Sequence, residues 1–424
     1  FRGWAAVAGS HPWNNGPTTD WGGDHGQPDS VVTDGSRFYL GWSFAEGGRP
    51  ILGCDQDGNM IWRVGTGIDS AEHLAVDGKT LFSLGVEDGS CRRVTRLRSK
   101  DGVYDNWEGR TSASFTIHDL WADKSDKNIW PVRANGLDAK NGKLYLSFSD
   151  QGFYATDICD WKGLVTKLVS DDALGKLIFS EVDPRTTQRL KDFLAGKQKQ
   201  EDAFRTWAGG PQFDREVMRE MNELLKVTDL VPGSDKMSPT ARTEANRKAI
   251  EKAFAPCILE RKTNFIAICD GATGKLQKTV DAKYPQALHV MDDGQLAFIS
   301  DGTAVMTVNP DSGEVKPFIS DLKDATNFTF DAEGRCYVTV AGDEHQVKIY
   351  GKDGKLSGTI GKKGGRQLLG KWQEDGMRNP VSAVVDQANK RLWVTENDFY
   401  PKRISIWNLA DGKLVKELFG PTHY

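Results

Sequence analysis

The sequence predicts an all-β fold, a six-bladed β-propeller carrying a helical insertion. Three observations predict it. Residues 327–361 (NFTFDAEGRCYVTVAGDEHQVKIYGKDGKLSGTIG) and 381–420 (VSAVVDQANKRLWVTENDFYPKRISIWNLADGKLVKELFG) repeat one order of four short strands and their turns. A period of this size built from four strands is that of a propeller blade. Asp-Gly dipeptides, which supply the positive φ of tight turns, recur at the same place in other segments. One blade cannot bury both faces of its sheet, so several must close around an axis.

Six units follow from the turns. Blade one is 29–65, with Asp57-Gly58 joining its last two strands. Blade two is 71–107, with Asp101-Gly102 leading into its fourth strand. Blade three opens at Asn135 with NGLDAKNGKLYLSFSD and is then interrupted. Blade four is 287–319, and blades five and six are the repeated pair.

The interruption has helical signals: Asp183-Pro184 as a start, an apolar face on Val217, Met218, Met221, Leu224 and Leu225, and Ser238-Pro239 as a further start. Strands resume at NFIAICDGATGKLQKTV, the outer half of a blade. The domain reading is an irregular opening over 1–28, a propeller over 29–424 and a helical insertion over 170–256. Seven blades result instead if FYATDICDWKGLVTKLV completes blade three.

A propeller accommodates all 424 residues as one unit, and a net charge of −4 speaks against nucleic acid or an anionic membrane as partner. No apolar run reaches the length of a membrane span. The six cysteines show no CxxC pair, and Cys54, Cys269 and Cys336 sit in strand patterns as buried thiols. Trp62, Trp393 and Trp407 alternate with polar residues and are expected between blades. Phe1 stands where an initiator Met is expected, which implies a processed or excised chain flanked by further domains.

Chemistry in a propeller concentrates where the first strand of each blade enters the central channel. Aligned on their first turns, the units place Asp29, Glu72, His73, Arg133, Asn135, His289, Asn327 and Arg378 at or near that mouth. Imidazole with carboxylate suits zinc, and carboxylate with amide carbonyls suits calcium. Glu72, His73, Asn135, His289 and Asn327 are therefore the candidate ligands of a divalent cation in the channel. Asp29, Arg133 and Arg378 are candidate ligand-binding residues. Trp21, Asp24 and His25 join them from the Gly-rich WGGDHG loop. The bland alternative is that such polar residues hydrogen-bond neighbouring blades.

The Gly-rich stretch 361–380, followed by LWVTEND, resembles NHL-repeat propellers; CDQDGNMIW, CDGATGKLQ and WNLADGKLV resemble YVTN and PQQ-like repeats. The opening HPWNNGPTTDWGGDHGQP and the closing FGPTHY are similar to large multi-domain proteins of environmental bacteria. The resemblance implies a non-catalytic module of an exported protein, extracellular or periplasmic, binding a protein or glycan through one propeller face. The alternative is a metal-dependent hydrolase or lyase. NGLDAKNGKLYLSFSD looks like a motif of gluconolactonase-like propellers, whose Glu-Gly-Pro is not matched; the NHL lyase uses three metal-binding histidines, and only His73 and His289 align here.

Overall fold

The computed structural model describes residues 27–43, 51–64, 70–87, 91–117, 134–149, 262–367, 371–398 and 402–419, with isolated positions between 233 and 248. Two compact units divide the chain: 1–124, 133–149 and 264–424 form one, and 125–132 with 150–263 form the other. The first unit holds six antiparallel sheets of four strands, each a meander in chain order.

The first strands are Gln27–Thr33, His73–Asp77, Ala134–Lys140, Pro285–Val290, Ala325–Phe330 and Pro380–Asp386. Each packs against the first strands of the blades before and after it, and that of blade six packs against that of blade one. The ring is closed, with six blades. Phe265–Asp270 pairs with Lys143–Phe148, from Lys143↔Asp270 to Phe148↔Phe265, so this outer half belongs to blade three and not to a seventh blade.

Second strands lie deepest. Cys336–Val340 is buried at every position, because both faces of the sheet meet neighbouring blades. Fourth strands such as Leu356–Ile360 bury little but their last residue. The expected tryptophans do pack between blades. Trp393 of blade six stacks on Phe38 of blade one with centroids 3.9 Å apart. Trp407 packs with Tyr337 and Val347 of blade five, and Trp62 with Leu74 and Leu81 of blade two. Burying each such ring contributes about 1.5–3 kcal/mol. Cys54, Cys269 and Cys336 are buried.

The first strands are kinked near their starts. In five of the six, the register with the second strand shifts there, as between Pro380 and Ser382. Such bulges re-aim the side chains at that end. Gly136 serves close approach in the same region, since a Cβ there would lie 3.0 Å from the Leu288 nitrogen of blade four.

Blade two departs from expectation. Its fourth strand is Ser114–Thr116, not the residues after Asp101-Gly102. That turn leads only to an isolated bridge between Leu97 and Tyr104. The intervening loop buries Trp107, whose indole N–H donates to the Ala113 carbonyl at 2.9 Å. Arg96 lies over that ring and donates to Ala272 O of blade three. A longer loop is thus stabilised by a buried indole and an inter-blade bond.

In the second unit, the Ser238 hydroxyl accepts the Ala241 N–H at 3.3 Å, and Ala241, Ala245 and Lys248 are helical. This is an N-cap. The helices expected from Asp183 and from residues 214–226 lie outside the described residues, as does FYATDICDWKGLVTKLV.

Candidate functional site

The face at which the first strands begin gathers most of the residues singled out from sequence. Asp29 sits in the bulge of blade one and accepts the Asn397 amide of blade six at 2.6 Å. His73 opens the first strand of blade two with Glu72 just before it, and Asn135 is second in that of blade three. Asn327 accepts the N–H of Phe328 and points its amide nitrogen at the Ser382 hydroxyl of blade six, 3.5 Å away. Ser382 in turn accepts the Val31 N–H of blade one. Blades five, six and one are thereby tied through one hydroxyl. Arg133, Trp21, Asp24 and His25 lie outside the described residues.

His289 does not join this face. It is fifth of six in Pro285–Val290, whereas His73 is first in its strand. The turn after His289 runs from Met291 to Gln295, between the paired Val290 and Leu296; the turn after His73 is only Gly78-Lys79. Aligning the two on their glycines therefore placed His289 too near the strand start. It meets Asp138 of blade three instead, Nδ1 to Oδ2 3.6 Å, with the rings of Phe328 and Phe330 6.4 and 5.3 Å from its own. Asp138 also accepts the Val290 N–H at 2.6 Å. Burial pushes the Asp138 carboxyl up, with His289 opposing, and pushes the His289 imidazole down, with Asp138 opposing. Among the described residues no group of three or more His, Cys, Asp or Glu is arranged to hold a metal ion.

The densest polar chemistry is in blade six, and sequence reasoning missed it. Glu396 ends the second strand directly opposite Arg403, which begins the third; both side chains are fully buried. Arg403 donates to Glu396 at 3.0 Å and to the carbonyls of Gly376 and Glu374 at 2.6 Å each, and its Nε pairs with Glu417. Glu396 also accepts from the Ser405 hydroxyl, the Arg378 N–H and the Arg366 guanidinium. Every acceptor on this buried carboxylate is engaged, the condition under which a buried charge is tolerated. Burial pushes Glu417 up although Arg403 opposes it.

Arg366 belongs to a strap, residues 361–379, that joins blades five and six. Beside the Arg403 and Glu396 bonds to it, the strap is seated by Arg366 on Asp398 at 3.0 Å, the Gly364 N–H on Glu344 O at 2.8 Å, and the Asn379 N–H on Nδ1 of His345 at 3.2 Å. Gly365 has φ +64°, and a Cβ there would fall 2.7 Å from the His345 Cβ, so only glycine fits. Trp372 lies between the Arg366 and Arg403 guanidiniums, 5.2 and 5.5 Å from its centroid. The signal was present in sequence. Glu396 and Arg403 are ionisable residues inside otherwise apolar strands, and cross-strand opposition of unlike charges is favourable.

Arg378 is where this network reaches solvent. Its side chain is 28% exposed and its Nε pairs with Asp398 at 3.3 Å. Asp398 is already shared with Arg366. Among the described residues, neither Nη nitrogen of Arg378 meets an acceptor.

Comparison with known proteins assigns the chain to no family. No family model matches the chain, so the NHL and YVTN resemblance rests on the quoted motifs alone. No curated protein matches either. Solved structures align with it at low identity. The Dos1 propeller shares 10% identity over 92% of this chain and 70% of its own, at a TM-score of 0.39. U3-55K shares 9% over 93% and 82%, at 0.44. The computationally designed Ika8 protein shares 10% over 93% and 87%, at 0.39.

Proposed function

We propose that the propeller is a non-catalytic binding module that recognises a protein or glycan through the face at which its first strands begin. One observation carries this reading: Arg378 pairs through Nε with Asp398, a member of a buried ionic network, and among the described residues its Nη nitrogens meet no acceptor. It stands beside Asn379, hydrogen-bonded to Asn397, which binds Asp29 of blade one. Polar groups far apart in sequence are thus fixed in advance at one surface, which limits the ordering entropy that binding would otherwise lose.

The test is an array of immobilised glycans and peptides probed with the full chain and with an Asn397→Ala, Arg378→Gln double variant. Binding abolished in the double variant supports the reading. Ligands captured equally by both forms would place recognition elsewhere and overturn it.

The second reading, a metal-dependent hydrolase or lyase, is favoured by one placement. Glu72, His73 and Asn135 lie at the starts of adjoining first strands in blades two and three. Stoichiometric zinc or calcium after reconstitution, lost in His73→Ala, is its signature.

A further inference from the structure

We infer that Arg378 is the anchor for a carboxylate on an acidic peptide segment. The inference rests on the binding-module reading and gives its ligand a chemistry. Charge arithmetic around the strap is the first argument. Three guanidiniums (Arg366, Arg378 and Arg403) face the carboxylates of Glu396, Asp398 and Glu417. Glu417 binds at Arg403, remote from Arg378 in the pairing scheme, and Glu396 serves Arg366 and Arg403. That leaves Asp398, which divides its charge between Arg366 and Arg378. Arg378 thus shares its carboxylate partner with Arg366.

Its geometry is the second argument. A guanidinium held through Nε leaves its two Nη nitrogens as a planar fork that matches the two oxygens of a carboxylate. The Arg378 backbone N–H is fixed on Glu396 at 2.9 Å, so the fork is carried on an ordered base.

The local field is the third. His345, beside the strap, is held below its ordinary range by burial first, then by Arg378 and Arg366. Glu396 and Asp343 oppose them more weakly. Arg378 and Arg366 thus both act on a neighbouring side chain as positive charges.

A peptide fits better than a sugar acid. Among the described residues, the Trp372 ring of this network is engaged by the guanidiniums of Arg366 and Arg403, 5.2 and 5.5 Å from its centroid, and by Phe419 at 5.7 Å. A recessed fork, by contrast, suits the flexible carboxylate arm of a glutamate or aspartate.

The experiment titrates fluorescein-labelled, amide-capped hexaglutamate into the full chain, with hexaglutamine as the uncharged control and tri-galacturonate as competitor. Expected are binding of hexaglutamate that weakens with added salt, none of hexaglutamine, and affinity about tenfold lower in Arg378→Gln, the loss of one charge-assisted bidentate contact. Arg378→Lys keeps the charge and loses the fork, so it should fall between wild type and Arg378→Gln. Unchanged melting of both variants shows that they fold. Hexaglutamate binding equal in wild type and Arg378→Gln, or no binding at all, overturns the inference. So does tri-galacturonate binding through Arg378 where hexaglutamate does not. A neutral ligand captured on the array and lost in the double variant would leave the module reading standing while this inference falls.

Discussion

The junction of blades three and four and the junction of blades five and six solve one problem differently. Both hold adjoining blades together with polar side chains. At the first, Asp138 accepts the Val290 N–H and faces His289, and Lys140 reaches across to Val290 O and Asp292. Each group there has a partner within the fold. At the second, a strap inserts Arg366 beneath the surface, and the last guanidinium in the series keeps donors to spare. Polarity in an inner strand is therefore weak evidence of function by itself. The partly exposed Arg378 differs in that, among the described residues, its Nη nitrogens meet no acceptor, so a ligand carboxylate can take the place of the water there.

The contrast can be broken at its strongest point. Arg403→Met removes one partner from a fully buried pair and strands part of the Glu396 charge. It should destabilise the first unit by about 3–5 kcal/mol, read as a shifted denaturant midpoint. A loss below about 1 kcal/mol would mean the network is not the structural keystone its burial implies. At the other junction the same experiment should be mild. Asp138→Asn retains an oxygen for the Val290 N–H and gives up the charge facing His289 and the acceptor of the Ala139 N–H, a short local bond. A loss of about 1 kcal/mol is expected. If it equals that of Arg403→Met, the two junctions are energetically alike and the distinction fails.

The smallest effect is a pH dependence. His345 accepts the Asn379 N–H on Nδ1, so that nitrogen is unprotonated in the fold. Its folded pKa lies below the ordinary 6.5, through burial and then Arg378 and Arg366. A depressed folded pKa means the unfolded chain takes up the proton first. The contribution is complete above 6.5 and is lost as pH falls through 6.5 toward the lower folded value. Melting temperature followed from pH 8 to 5 should drop more steeply in wild type than in His345→Asn. Asparagine tolerates the positive φ of 48° at this position and does not titrate here. Parallel curves would remove His345 from the account.

The ring itself was legible, because turn dipeptides and strand alternation are local signals. Asp57-Gly58 was read as a turn, and Gly58 has φ +80°. Placement within a strand was less legible, because it depends on turn length. The five-residue turn of blade four moved His289 away from the end at which its resemblance to His73 had put it. The blade-two loop escaped because its stability comes from one buried indole and a bond to blade three, neither of which has a period. The strap network escaped because Arg366 and Glu396 are 30 residues apart, joined through a Gly-rich stretch that carries no pattern.

Blades one and six each consist of four consecutive strands, so no sheet is shared across the seam where the ring closes. That seam is a zip of side chains: Phe38 on Trp393, Asp29 on Asn397, Ser382 on Val31, Lys416 on the Asp57 carbonyl. It cannot be fastened until the residues of the sixth blade have left the ribosome. Until then Phe38 lacks the Trp393 ring that covers it in the closed ring, an apolar surface of the kind that draws chaperones and further copies of a growing chain.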